Sequence, residues 1–164
     1  MKSCDRQPSR VGAGAQGFTM TELLIVVVVI GILAALAAPS FNDLIKSQKI
    51  KSMASDLNAS LTLARSEAIK RNANATITPT GAWQGGWQIT ISDVNNTAAN
   101  IVVETHSAVA GVTTTGPVNV VYRSSGRIVG TTAPAFTISA AGTTAQRCVS
   151  VDLSGRPYVK DGAC

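Results

Sequence analysis

Hydrophobic and polar positions divide the chain into three stretches with different periodicities. From Phe18 to Ala38 there are 21 residues, nearly all apolar, and Glu22 is the only charged one. A helix of that length reaches roughly 31 Å, enough to cross a bilayer core. The pattern predicts a membrane-inserting helix. A carboxylate inside such a helix costs on the order of 2.5–3.5 kcal/mol, so Glu22 calls for a partner. Pro39 follows, and a proline within a helix removes one hydrogen bond and crowds the preceding turn, so a kink or local melting is expected there.

From Phe41 to Arg71 the period is helical. Ile50, Met53, Leu57, Leu61, Ala64 and Ala68 step by three and four along one stripe, which Lys46, Lys49, Lys51, Asp56, Arg65, Glu67, Lys70 and Arg71 mostly avoid. The basic positions are read first as an ordinary solvated face, with a filament contact or a polyanion face as the alternative. Asn72 and Asn74 tolerate left-handed geometry and are the expected stop. Beyond them the runs are short: Trp87–Ile91, Ile101–Thr105, Val118–Tyr122, Ala135–Ser139, Cys148–Asp152 and Pro157–Val159, separated by Gly- and Asn-containing turns. These read as strands. An antiparallel sheet over the amphipathic half of a long helix is the economical α+β arrangement.

Composition adds little except at the N-terminus. Only 14% of residues are charged, and the net charge is +5. Met1 to Gly17 holds Lys2, Arg6 and Arg10 against Asp5, which leaves 11 basic and 8 acidic residues in the remainder. That mild excess does not by itself argue for nucleic acid. A secretory signal peptide carries its apolar region ahead of the cleavage site. Here the order is reversed: a basic leader, then Gly17, then the apolar helix. A plain signal anchor explains neither Gly17 nor Glu22.

Gly17, Phe18, Thr19 and Glu22 resemble the class III signal of type IV prepilins, with Met20 where that family more often has Leu. The resemblance implies cleavage between Gly17 and Phe18 by a prepilin peptidase and N-methylation of Phe18. It also implies pairing of Glu22 with the amino terminus of a neighbouring subunit, and a flexible joint at Pro39. Further on, Leu61–Asn72, the Ala82-to-Ile91 stretch with Asp93, and the repeated Ser125-Gly126-Arg127 and Ser154-Gly155-Arg156 are similar to the GspH/FimT/FimU group of minor pilins and pseudopilins. The type IV pilin fold is therefore expected: leader 1–17, hydrophobic membrane or filament-core helix 18–45, and globular domain 46–164, helical to 72 and β-rich from 73.

With the leader goes Cys4, leaving Cys148 and Cys164 for an oxidising compartment. A C-terminal disulfide is common in type IV pilins and usually absent from type II secretion pseudopilins. Two free thiols are the alternative. Nothing in the pattern points to an enzyme, cofactor or metal. His106 has no second ligand at zinc spacing. Asp93, Asn95, Thr97 and Glu104 fit a calcium-loop template only in part, because Ala98 stands where the sharp turn needs Gly. Trp83 and Trp87 are read as packing on the helix.

The resemblance implies a structural subunit taking part in type IV pilus assembly or initiation, with twitching motility, adhesion and natural transformation as associated roles. The expected partners are other minor pilins, the major pilin, the prepilin peptidase, the inner-membrane assembly platform and, before assembly, membrane lipid. Localisation would be the inner membrane with the C-terminal domain in the periplasm, then the surface pilus. Two alternatives stand beside it: a type II secretion pseudopilin, or a minor pilin that binds DNA for uptake. The candidate DNA contacts are Arg123, Arg127, Arg147, Arg156 and Lys160. Some FimT-type pilins use a Gly-Arg-x-Arg motif for this purpose; here Gly155-Arg156-Pro157 is followed by Tyr158 in place of the second Arg.

Overall fold

The computed structural model describes residues 17–92 and 100–164, and the side chains of residues 37–40 fall outside that description. The chain divides after Ala38 into two units. Helix α1 runs Met20–Arg71, and Pro39 lies within it. Its side chain, and so the expected joint, lies outside the described residues. The calcium-template positions Asp93, Asn95 and Thr97 also lie outside the described residues.

α1 ends where the asparagines predict. Asn72 takes φ +50°, its N–H donates to Ile69 O at 3.3 Å, and Ala73 N–H donates to Ala68 O at 3.1 Å. These are the two bonds of a Schellman cap, and the buried Ala73 and Ala68 supply its hydrophobic contact. The cap turns the chain directly into the first strand.

Among the described residues eight strands follow: β1 Ala75–Pro79, β2 Trp87–Ser92, β3 Asn100–His106, β4 Thr113–Thr115, β5 Val120–Tyr122, β6 Ala135–Ser139, β7 Gln146–Val151 and β8 Pro157–Asp161. They form two four-stranded sheets rather than one, in the orders β3-β2-β1-β5 and β4-β6-β7-β8. Every pairing is antiparallel. β1 and β4 are the strands that apolar pattern does not reveal. β1 has one large apolar residue, Ile77, and β4 is three threonines of which only Thr114 turns inward. Val118, expected at the start of a strand, stands 85% exposed ahead of β5.

The stripe on α1 is the axis of the core. Ile50, Met53, Leu57, Leu61, Ala64 and Ala68 are all buried. The first sheet lays Ile77, Trp87, Ile89, Ile91, Val120 and Tyr122 against the same core, and the second adds Phe136, Ile138, Val149 and Val151. Each larger aliphatic on that stripe contributes about 1.5–3 kcal/mol before entropy is charged.

Cys148 of β7 is bonded to Cys164, closing a sequence separation of 16. The bond ties the last residue to an interior strand, beside Thr137 Oγ1, which accepts from Cys164 N–H at 3.2 Å. Replacing both cysteines with serine is expected to lower the unfolding free energy of the globular domain by roughly 3 kcal/mol. Urea denaturation of the oxidised and double-serine proteins checks it.

Candidate functional site

The start of α1 is capped by its own residues. Glu22 N–H donates to Thr19 Oγ1 at 3.3 Å, and Glu22 Oε2 accepts from Thr19 N–H at 3.2 Å. Thr19 Oγ1–H also reaches Oε2 at 3.2 Å. Thr-x-x-Glu in this geometry is a capping box: two orphan amide donors are satisfied reciprocally, and the carboxylate sits at the positive end of the helix dipole. Sequence reading missed Thr19's part in this, although the three-residue spacing carried the signal. Glu22 therefore has a local role, and its side chain stays exposed to solvent.

Around it the helix is apolar on all sides. Leu23, Ile25, Val28, Ile30, Leu33 and Leu36 are each more than half exposed, with nothing from their own unit covering them. A helix apolar all round must be buried by something else, lipid or other helices. Among the described residues no single helix is long and apolar enough to cross a membrane, and Met20–Leu36 with Phe41–Arg71 has the length and composition only as a bent pair. A Cβ at Gly17 would meet nothing within 4 Å among the described residues.

The two Ser-Gly-Arg triplets form matching turns. In one, Arg123 N–H donates to Arg127 O and Gly126 N–H to Arg123 O; in the other, Asp152 N–H donates to Arg156 O and Gly155 N–H to Asp152 O. Both glycines have positive φ, +74° and +86°. The turns pack backbone on backbone, so that a Cβ on Gly155 would lie 1.8 Å from Gly126 O. Arg65 of α1 joins them, donating to Gly126 O at 3.1 Å and Ser154 O at 3.4 Å. Asp152 braces its own turn: the Ser154 hydroxyl, then the Arg156 N–H, hold its carboxyl below the usual carboxylate range. Burial pushes the neighbouring Tyr122 phenol well up.

A model of the family described as "Type II transport protein GspH" matches residues 53–155, more than half of the chain. The chain belongs to the GspH family. A second model, the prokaryotic N-terminal methylation motif, matches residues 13–38. Among solved structures, the type IV minor pilin FimU of Pseudomonas aeruginosa PAO1 is 26% identical with a TM-score of 0.59, covering 69% of this chain and 89% of its own. A second crystal form of FimU gives a TM-score of 0.57, also at 26% identity, over 67% of this chain and 91% of that one. The minor pseudopilin EpsH from the Type 2 Secretion System of Vibrio cholerae shares the fold at 13% identity and TM-score 0.56, over 69% and 97% of the two chains. No curated protein sequence matches the chain.

This GspH-family chain is thus a minor pilin or pseudopilin with a methylation motif, a structural subunit and not an enzyme. Its fold separates the candidate arginines. Arg123, Arg127 and Arg156 are exposed on the joined turns, with Arg65 beneath them. Arg147 and Lys160 lie elsewhere, on opposite faces of the second sheet. Arg147 pairs with Ile138 on the core side and is engaged by Asp161, whereas Lys160 pairs with Cys148 and lies 5.0 Å from the Tyr158 ring centroid. The sequence could not show this, because strand parity becomes visible only once the β7–β8 register is known.

The remaining chemistry of the GspH-family domain is structural. Trp83 donates to Pro117 O at 2.7 Å and packs edge-on against Phe136, with centroids 4.7 Å apart. Trp87 is buried under the His106 ring, stacked at 4.0 Å, and His106 Nε2 is 3.8 Å from Asp56. Glu104 accepts from the Ser60 hydroxyl at 3.1 Å. Among the described residues no group of His, Cys, Asp and Glu is arranged to hold a metal. Near the end of α1, Arg71 and then Lys70 hold the Glu67 carboxyl low.

Proposed function

We propose that this chain is a minor pilin that is cleaved after Gly17, methylated at Phe18 and incorporated through its N-terminal helix into a type IV pilus, where it takes part in assembly. The observation that carries the reading is the exposed Glu22 at the capped start of a helix apolar on every side. A carboxylate there is tolerated in an apolar packing only if a cation meets it. Removal of the leader creates that cation at the next subunit's Phe18 amine. The likeness to FimU and the Cys148–Cys164 bond support the pilus over the secretion system.

Deletion of the gene with an epitope-tagged complement tests the assignment. The tagged chain is expected in sheared pili, with pilus-dependent motility lost and protein secretion intact. Lost exoprotein secretion with normal pili would instead establish the type II alternative, which the description of the matching family favours.

A DNA-binding role on the same scaffold draws on the joined turns, where three arginines are presented together. Double substitution Arg127→Ala and Arg156→Ala is expected to weaken duplex binding by the domain at least tenfold. The wild-type affinity should fall linearly in log salt with a slope near −3. Gel shift over a salt series reads both. Unchanged affinity in the double variant sinks this role and leaves the pilin assignment standing.

A further inference from the structure

The first sheet carries opposite charge at its two edges, both within the unit Pro39–Cys164. In the order β3-β2-β1-β5 the outer strands are β3 and β5. Between β3 and α1 lies a cleft of about 270 Å³, lined by Asp56, Ser60 and Leu63 of the helix and by Glu104 and His106 of the strand. A register shift leaves Val103 without a partner on β2, so Ile101 and Glu104, three positions apart, pair with Ile91 and Ile89, both buried on the helix side. Asp56 Oδ2 accepts from the Ser52 hydroxyl at 3.4 Å and faces His106 Nε2 at 3.8 Å. Glu67 and Asp161 each meet a lysine or arginine; among the described residues neither Asp56 nor Glu104 does.

The other edge is basic. The turn that follows β5 presents Arg123 and Arg127, and the turn joined to it adds Arg156, all exposed. Asp152 is the one carboxylate in the two turns, and its Oδ1 is already engaged by the Ser154 hydroxyl and Arg156 N–H. Apolar side chains stand beside both charged sets: Ile101 on β3 is 41% exposed, and Ile69 and Leu153 at the turns are 51 and 40% exposed.

α1 gives the offset between the two edges. Asp56 lines the cleft and Arg65 holds the turns. Nine residues along a helix are about two and a half turns, so these side chains leave α1 on opposite sides, about 14 Å apart along its axis. We propose that the cleft beside β3 receives the arginine turns of a second copy of this chain, with Asp56 and Glu104 meeting Arg127 and Arg156. Each copy carries both halves of the contact, displaced along the helix axis, so it repeats head to tail into an open row and not a closed ring. The proposal rests on the reading of the chain as a filament subunit. Its charges set which edge meets which, since like edges repel.

The full chain, disulfide intact, is expressed with two different tags, and one tag is captured from mild detergent at low salt. Asp56→Lys with Glu104→Lys, and separately Arg127→Glu with Arg156→Glu, should each lower recovery of the second tag at least tenfold. One variant expressed with the other restores it, because every edge then meets its opposite. Glutamates do not hold phosphate, so that recovery also separates the contact from duplex binding by the same arginines. Arg127→Lys keeps the charge and is open to a carbodiimide. Mass spectrometry should find it linked to Asp56 or Glu104, a bond one chain cannot make across its own sheet, where three strand spacings cover roughly 14 Å. The proposal is overturned by full recovery in either charge variant, by no restoration from variants that keep the wild-type urea midpoint, or by the absence of that link. Sheared pili are assayed in parallel. Tagged chain found there while the contact fails leaves the pilin assignment standing, and its absence from pili strikes at that assignment itself.

Discussion

Glu22→Ala yields a chain that is exported and trimmed but depleted at least tenfold from sheared filaments. Two effects could produce that, and the structure separates them. Alanine removes the carboxylate half of the capping box, the acceptor of Thr19 N–H, a loss of about 1 kcal/mol that frays the first turn. It also removes the charge that would meet a neighbour's amine. Glu22→Gln keeps a side-chain oxygen able to accept from Thr19 N–H and deletes only the charge. If the carboxylate acts between subunits, the glutamine variant is depleted as severely as the alanine one. Quantitative immunoblotting of filament and membrane fractions decides it, and normal incorporation of Glu22→Gln would confine Glu22 to its local cap.

Gly155→Ala is expected to be the most damaging small substitution in the globular domain, by roughly 3–5 kcal/mol. Alanine at φ +86° carries a left-handed penalty of about 1–2 kcal/mol. The larger part is steric: the new methyl would stand 1.8 Å from Gly126 O and 3.3 Å from Tyr122 Cε1. Backbone has to move, and both turns are held to α1 by Arg65. Gly81→Ala is the control, with φ +79° and nothing within 4 Å of its added Cβ. It should cost only the conformational part. Urea midpoints of the two variants measure the difference, and equal costs would mean that the turns part freely.

How much of this was legible beforehand follows from the physics of each element. The amphipathic stripe was readable residue by residue, since a 3.6 period over more than five turns has no other explanation; every residue on it is buried. The Asn72 stop was readable for the same local reason. β1 and β4 were not, because their strand character comes from neighbours. Ala75-Thr-Ile-Thr-Pro79 sits between β2 and β5, and Thr113–Thr115 is recruited by β6. The division of strands into two sheets is a long-range choice that no local pattern encodes.

The same contrast holds at the surface. The repeated Ser-Gly-Arg triplet was visible in the sequence, but that the two turns lie back to back under Arg65 was not. Arg147 and Lys160 looked like members of one basic patch until register placed them on opposite faces of a sheet. At the N-terminus, spacing sufficed to mark Glu22 as a residue needing partners. One of those partners proved to be Thr19, three positions away.

The most direct measurement is the identity of the first residue of the exported chain. Intact mass and N-terminal sequencing of protein recovered from the membrane and from filaments should give a chain that begins at Phe18, with its amine methylated and Met1 to Gly17 gone. A mature chain that begins at any other residue leaves Glu22 without a correctly placed amine to meet, and contradicts the assignment as a filament subunit.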